Sequence, residues 1–314
     1  MQYDCARRPR TCRRFSHHDA TGVRRSLAGC TCNELGNVGQ AYRSAARCSA
    51  RGAGSKNLGP RPGSDGEVGV GRMVEPDVLV AAIEDIGRLR DLDSKTVLIT
   101  AGPTREPLDP VRYLSNRSSG KMGFSLAAEA AARGAETRLV CGPVDLPTPV
   151  GVERFEVETA AEMQAMVERL APDADIVVMA AAVADFRPQV MAPQKIKKGR
   201  GAPILELVAN PDILERLREI APQALRIGFA AETENLEAEA QRKLQSKGAH
   251  FIVANDVSKV GIGFDADVNE VTVFSMDQKA RKLPVQPKRR LARELFDLFS
   301  EALQGRDAGI LPAR

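Results

Sequence analysis

From residue 95 onward, short apolar runs alternate with segments of helical period. The runs at 96–101, 136–141, 176–181, 226–230 and 251–254 predict strands, and 204–208 and 271–274 are further candidates. Helical patterns lie between and after them at 119–133, 160–170, 211–220, 234–247 and 287–303. Strands alternating with helices of that length predict an α/β fold with a doubly wound, mostly parallel, Rossmann-like sheet in a single main domain. Ligands on such sheets bind at the carboxyl ends of the strands, so the loops there are expected to carry the chemistry. Upstream, 78–86 reads as a short amphipathic helix, and 91–94 as a polar linker. Residues 1–60 sustain neither period.

Composition sharpens this picture. Of 314 residues, 43% are hydrophobic but only 4% aromatic, and Trp is absent. The core must therefore be aliphatic and Ala-rich, which suits a parallel sheet buried under helices. A net charge of +4 names no partner. No apolar run reaches the roughly 18 residues of a membrane span, and no apolar-centred leader follows Met1. Neither a membrane nor a nucleic acid is an expected partner.

Five of the six cysteines (Cys5, Cys12, Cys30, Cys32 and Cys48) fall in the Arg-, Ser- and Gly-rich start, leaving Cys141 in the main domain. That distribution fits a reduced, cytoplasmic protein. The expected organisation is a disordered or non-native extension over 1–62, a main domain over 95–305 and a flexible tail over 306–314. An Arg-rich, acid-poor start also fits an organelle transit peptide. A zinc site from Cys5, Cys12, His17, His18, Cys30 and Cys32 is a third reading, but no pair has finger spacing.

The loop after the first strand is long, AlaGlyProThrArgGluProLeuAspPro at 101–110 and then ValArgTyrLeuSerAsnArgSerSerGlyLysMetGly at 111–123. Its end meets the start of a helix, where Ser118 or Ser119 is expected to cap. Gly120 and Gly123 would let a phosphate approach the backbone, and the helix N-terminus favours anions. The order is neither GxGxxG nor a Walker A loop, because Met122 follows Gly120-Lys121. After the third strand, AlaAlaAlaValAlaAspPheArgPro at 180–188 offers small residues for a ligand to lie on, with Asp185 at the strand end. As a structural alternative, Asp185 caps a turn. Lys195, Lys197 and Lys198 form a cationic run, usually a solvated face but here downstream of a ligand-facing loop. Asn210 reads as a helix cap with Pro211 in the first turn. Lys243 and Lys247 share a helical face. With His250 the sole histidine beyond residue 18, and no CxxC or HExxH, the chemistry must come from charge and geometry.

Together, the GlyProThrArgGluProLeuAspProValArg loop, SerAsnArgSerSerGlyLysMetGly, AlaAlaValAlaAspPheArg, LysIleLysLys, AsnProAspIle, GlyPheAlaAlaGluThr at 228–233 and AlaAsnAsp at 254–256 resemble the phosphopantothenate–cysteine ligase family. The likeness is greatest to the ligase half of bacterial bifunctional coenzyme A biosynthesis proteins. The resemblance implies that the carboxylate of 4′-phosphopantothenate attacks the α-phosphate of CTP, accompanied by Mg2+. An acyl-cytidylate forms, and L-cysteine then displaces CMP.

By the same resemblance Asn116 and Lys195 are catalytic. Nucleotide contacts are implied for Ser118, Gly120, Gly123, Met179, Ala180, Ala181, Asp185, Lys195, Pro211, Asp212, Ile213, Leu214, Phe229, Lys243 and Lys247. Asn116, Ala181, Ala182 and Asp185 are implied to meet the pantothenate substrate. No Mg2+ ligand is assigned, and a homodimer is implied. Residues 66–76 resemble the tail of the flavin-dependent decarboxylase half, so 63–94 read as its remnant plus a linker. Asp65 stands where that pattern has its cysteine, so FMN is not expected, and a separate decarboxylase becomes a candidate partner. Two other classes compete: a non-catalytic nucleotide-binding scaffold subunit, and an NAD-dependent oxidoreductase.

Overall fold

The computed structural model describes residues 15–18, 24–27, 90–197, 204–232, 235–256, 266–277 and 280–307. The chain divides into two compact units, Met1–Met73 and Val74–Arg314. In the first, strands β1 (Phe15–His18) and β2 (Arg24–Leu27) pair antiparallel, Phe15 opposite Leu27. This pair departs from the expectation of no regular period over 1–60, because four residues a side are too few for alternation to register in sequence. His17 and His18 fall in β1. Cys5, Cys12, Cys30 and Cys32, the helix expected at 78–86, the tail at 66–76, and Lys198 and Thr233 lie outside the described residues.

The second unit opens with a turn at 91–94, then β3 (Thr96–Ala101), β4 (Arg105–Pro107), β5 (Tyr113–Ser115) and helix α1 (Lys121–Ala132). β6 (Glu136–Cys141), β7 (Val152–Glu156), α2 (Ala160–Leu170) and a 3-10 turn (Ala171–Asp173) follow. Next come β8 (Ile176–Met179), β9 (Phe186–Pro188), β10 (Leu207–Ala209), α3 (Ile213–Ile220) and β11 (Leu225–Glu232). The unit ends in α4 (Leu236–Lys247), β12 (Phe251–Asp256), β13 (Val268–Ser275), β14 (Ala280–Pro287) and α5 (Lys288–Asp307).

Eight of these strands form one sheet in the order β14-β13-β12-β11-β8-β3-β6-β7. The six from β12 to β7 are parallel, β13 pairs antiparallel with β12, and β14 pairs antiparallel with β13. Alternation along β3 divides the core between the two faces. Val97, Ile99 and Ala101 pack with Leu126 and Ala130 of α1 and with Leu295, Phe296 and Phe299 of α5. Leu98 joins Met163 and Val167 of α2 and Leu217 of α3 on the other face. A smaller cluster holds Ala240 and Leu244 of α4 against Ile252, Ala254 and Phe274. The side chains of these clusters are apolar, so burial removes nonpolar area from water with no polar group left to satisfy.

The five expected helices form, each within three residues at its start. Three expectations about strands change. β7 carries Glu153, Arg154 and Glu156, which mask its apolar alternation, and an edge strand needs only one buried face. β14 contains Pro284 and Pro287, which read as breakers but are tolerated at a sheet edge. The apolar run at 204–208 does not enter the main sheet. Only Leu207–Ala209 is a strand, paired antiparallel with β9 in a separate two-stranded ribbon, and Ile204 is 94% exposed. β4 and β5 make a second such ribbon.

Candidate active site

Chain order reverses at β3. Its successor β6 lies on one side, while β8 lies on the other. The loops leaving β3 and β8 therefore diverge to opposite faces and open a crevice between them. They stay joined at their roots: Ala182 N–H donates to Gly102 O at 2.9 Å, and Ala184 N–H donates to Thr104 Oγ1 at 3.0 Å. Thr104 is fully buried, so that hydroxyl fixes the floor of the crevice. Gly102 holds φ +76°, and a Cβ on Gly142 would fall 1.8 Å from Pro103 O, so these backbones approach as closely as glycine allows.

A cavity of about 600 Å³ occupies the crevice. It gathers nearly every residue the sequence nominated. Asn116, Ser118, Gly120 and Gly123 line it from the first loop, and Met179, Ala180, Ala181, Ala182 and Asp185 from the loop after β8. Pro211, Asp212, Ile213 and Leu214 join them from the start of α3, Phe229 from β11, and Lys243 and Lys247 from α4. Among the described residues its wall carries five basic side chains (Arg117, Lys121, Lys243, Lys247 and Lys288) against two acidic ones, Asp185 and Asp212. A polyanion is the ligand class such a balance favours. A second, more open hollow of about 690 Å³ lies past β6 and β7. It has the opposite balance, with Asp145, Glu156, Glu158 and Glu162 against Arg105 and Arg154.

Helix α1 meets the cavity with its N-terminus. The residue before it is Gly120, at φ 74°, and no side chain caps it. The expected Ser118 or Ser119 cap is therefore corrected: Ser118 Oγ accepts from Gly120 N–H at 3.3 Å, one residue short of the helix. The first turn has no acidic residue, so its N–H groups and the helix dipole remain available to an anion. Gly123 is required by packing, since a Cβ there would sit 2.5 Å from Ala101 Cβ on β3. Asn116 Nδ2 donates to Val183 O at 2.9 Å and ties the two loops across the crevice.

At α3 the cap is Asp212, whose carboxylate accepts from Glu215 N–H at 2.9 Å. The expected Asn210 cap is corrected. Asn210 instead donates to Ala184 O at 2.8 Å and accepts from Arg187 at 3.0 Å, bracing the β8 loop. Pro211 consequently precedes the helix rather than opening its first turn. Lys247 pairs with Glu215 at 2.9 Å and Asp212 at 3.0 Å, and those two carboxylates, Glu215 first, raise its pKa.

Lys195 is not among the cavity-lining residues. It is exposed in the segment after β9, next to Ile196, whose N–H donates to Asp109 Oδ2 at 3.0 Å. Asp109 also accepts from Val111 N–H and Arg112 N–H, both at 2.9 Å, and from Arg112 Nε at 3.0 Å. Arg112 reaches back to Ile196 O at 2.7 Å. These bonds pin the Lys195 segment to the β4–β5 ribbon, and the Arg112 guanidinium, foremost, holds the Asp109 carboxyl far below the usual carboxylate range. An Asp two residues before a backbone donor is an Asx-turn signal, so Asp109 was legible in sequence. Asn269 and Lys288, which also line the cavity, had no such signal. His250 is structural, its Nδ1 accepting from Arg226 N–H at 3.0 Å. Cys141 is a free, buried thiol, pushed up to about 11 chiefly by burial.

No helix of the described residues is long and apolar enough to cross a membrane. The family model described as DNA/pantothenate metabolism flavoprotein C-terminal domain matches residues 92–303. The chain is 47% identical over 250 residues to the coenzyme A biosynthesis bifunctional protein CoaBC of Vibrio cholerae serotype O1, covering 78% of this chain and 62% of that one. It is 46% identical over 248 residues to CoaBC of Escherichia coli K12, covering 76% and 60%. The chain thus spans about three fifths of the length of these relatives. Among solved structures, the C-terminal domain of a CoaBC protein matches with TM-score 0.60 and 40% identity, over 68% of this chain and 98% of that domain. A Cab2 variant in complex with phosphopantothenate-cysteine shares the fold at TM-score 0.56 and 17% identity, over 74% of this chain and 92% of that one. With the match running over more than half of its residues, the chain belongs to the family of the DNA/pantothenate metabolism flavoprotein C-terminal domain.

Proposed function

We propose that the chain is a ligase of coenzyme A biosynthesis that joins 4′-phosphopantothenate to L-cysteine at the expense of CTP, with residues 95–305 as the ligase domain. The observation that carries this reading is the cavity itself. Five separate segments bring Asn116, Gly120, Asp185, Asp212, Phe229 and Lys243 to one basic crevice. The relatives named for coenzyme A biosynthesis support the substrate class.

The chemistry suits the residues. In the first step a pantothenate carboxylate oxygen bonds to the α-phosphorus and the bond to pyrophosphate breaks. In the second the cysteine nitrogen bonds to the acyl carbon, CMP leaves with the bridging oxygen, and the amine sheds a proton. A carboxylate can approach a triphosphate only where cations and N–H donors screen both. The start of α1 and the five basic side chains supply them. Asp185 and Asp212 provide acceptors for hydroxyl or amine groups of either substrate. Magnesium enters as the counter-ion of the triphosphate. Among the described residues no group of three or more His, Cys, Asp or Glu is poised to hold a metal, which suits an ion kept by phosphates and water. Lys195 enters the proposal by family likeness alone, as a charge at the α-phosphate. A cytoplasmic, reduced setting goes with this reading.

The two assigned catalytic residues are expected to fail at different steps. Lys195→Gln removes charge and should lower acyl-cytidylate formation about 10²–10³-fold. Asn116→Asp puts an acceptor opposite Val183 O and the intermediate. Acyl-cytidylate should then form but pass slowly to cysteine. Single-turnover assays with labelled phosphopantothenate separate the steps, and wild-type rates in both variants would contradict the assignment.

A homodimer is part of the proposal. Tyr113, Phe186, Val190, Met191 and Leu207, on or beside the two ribbons, are large apolar residues left exposed in the single chain. Light scattering should return twice the chain mass, and a monomer mass at working concentration would contradict it.

A further inference from the structure

A loop that leaves a parallel strand has no ladder to hold its backbone. The loop after β8 is held by other partners. Ala181 N–H donates to Thr100 Oγ1 at 3.2 Å, and Ala182 N–H donates to Gly102 O at 2.9 Å. Val183 O accepts from Asn116 Nδ2 at 2.9 Å. Ala184 is gripped on both sides. Its N–H donates to Thr104 Oγ1 at 3.0 Å, and its carbonyl accepts from Asn210 Nδ2 at 2.8 Å. Asn210 N–H donates to Asp185 O at 2.8 Å. Arg187 Nη1 donates to Asn210 Oδ1 and to Ala209 O, both at 3.0 Å, and so fixes the Asn210 amide in turn.

The side chain that ends this run of bonds has a different environment. Asp185 is exposed on the cavity wall, and among the described residues none bonds its carboxylate. A backbone tied at each residue from 181 to 185 thus carries an unbonded acceptor into the crevice. Folding alone does not call for that combination. A binding constellation does, because its groups must be held to within about 0.5 Å by a supporting shell of hydrogen bonds. Thr104 reaches the loop from the β3 side and Asn210 from the approach to α3, so the peptide before Asp185 is located from two directions. Thr104 is fully buried and is not among the cavity-lining residues, so any effect of its hydroxyl on a substrate passes through the loop.

We propose that Thr104 and Asn210 are positioning residues for Asp185. They hold the Ala184–Asp185 backbone so that the Asp185 carboxylate accepts a hydrogen bond from a hydroxyl or amine group of a bound substrate. This rests on the ligase reading of the crevice. The donor belongs to CTP or to phosphopantothenate, and the substrate whose binding changes identifies which.

Steady-state ligation by the full chain, with CTP and phosphopantothenate varied in turn, tests this in a double-mutant cycle. Asp185→Ala should raise KM for one of the two substrates. Thr104→Val keeps the shape but removes the hydroxyl, and should raise the same KM about ten- to a hundredfold, with a smaller effect on kcat. In the Asp185→Ala background, Thr104→Val should add less than about twofold. Thr104→Ser returns the hydroxyl and should recover most of the loss. Asn210→Ala, taken through the same cycle, carries the test if Thr104→Val fails to fold. Losses that multiply in the double variant, equal losses in Thr104→Ser and Thr104→Val, or wild-type KM values in Asp185→Ala would each overturn the positioning role and leave the ligase reading standing. A wild-type chain that makes no product overturns the ligase reading. The cycle is then read by calorimetry in the affinities for CTP and phosphopantothenate, where a non-additive loss keeps the positioning role, and an additive loss or no binding of either overturns it.

Discussion

At the residue scale, the glycines at the start of α1 show how sequence, packing and function meet. Gly123 lets the helix lie directly on Ala101 of β3, and a methyl group there would have to displace β3 or the helix. Gly123→Ala should cost about 1–3 kcal/mol as overpacking. Because the shift occurs where the helix N-terminus faces the cavity, nucleotide affinity should fall with it. Urea denaturation beside a CTP titration checks both, and an unchanged midpoint would show that the contact is softer than the geometry implies. Small residues and their motifs made this part of the site readable from sequence. The caps were less so: Asn210 and Asp212 are both good cap residues two apart, and only the tertiary bonds of Asn210 to Ala184 and Arg187 decide between them. Asn269 and Lys288 were invisible because a lone buried amide or lysine carries no pattern.

At the scale of elements, periodicity located the central strands and all five helices, where burial is two-sided or the apolar stripe is wide. It failed at the edges, β7 and β14, and in the short ribbons, where one face or none is buried. The turn of the β4–β5 ribbon is tied to the segment after β9 by side-chain bonds centred on Asp109. Its folded pKa lies below the unfolded value of about 3.9. Its contribution to stability is therefore complete above that unfolded value and is lost as pH falls through it toward the folded one. Asp109→Asn should lower the urea midpoint at pH 7, and the gap from wild type should narrow only below about pH 4. A gap that closed already between pH 7 and 5 would assign the effect to another group.

At the scale of the whole molecule, the doubly wound sheet was legible in the strand–helix alternation, and so was the expectation that the loops at its strand ends carry the site, but the strand order that opens the crevice at β3 was not. What alternation could not supply was charge placement. Two hollows of similar size flank β3, and only the assembled side chains show that one is basic and the other acidic. The chain covers about three fifths of the length of its bifunctional relatives, and the ligation step is the activity proposed for it. The most direct test incubates the full chain with phosphopantothenate, L-cysteine, CTP and magnesium, and follows pyrophosphate and phosphopantothenoylcysteine together. One pyrophosphate should be released for each product molecule, and no product should form when CTP is omitted. CTP binding with neither pyrophosphate nor product would contradict the ligase reading and leave a nucleotide-binding scaffold in its place.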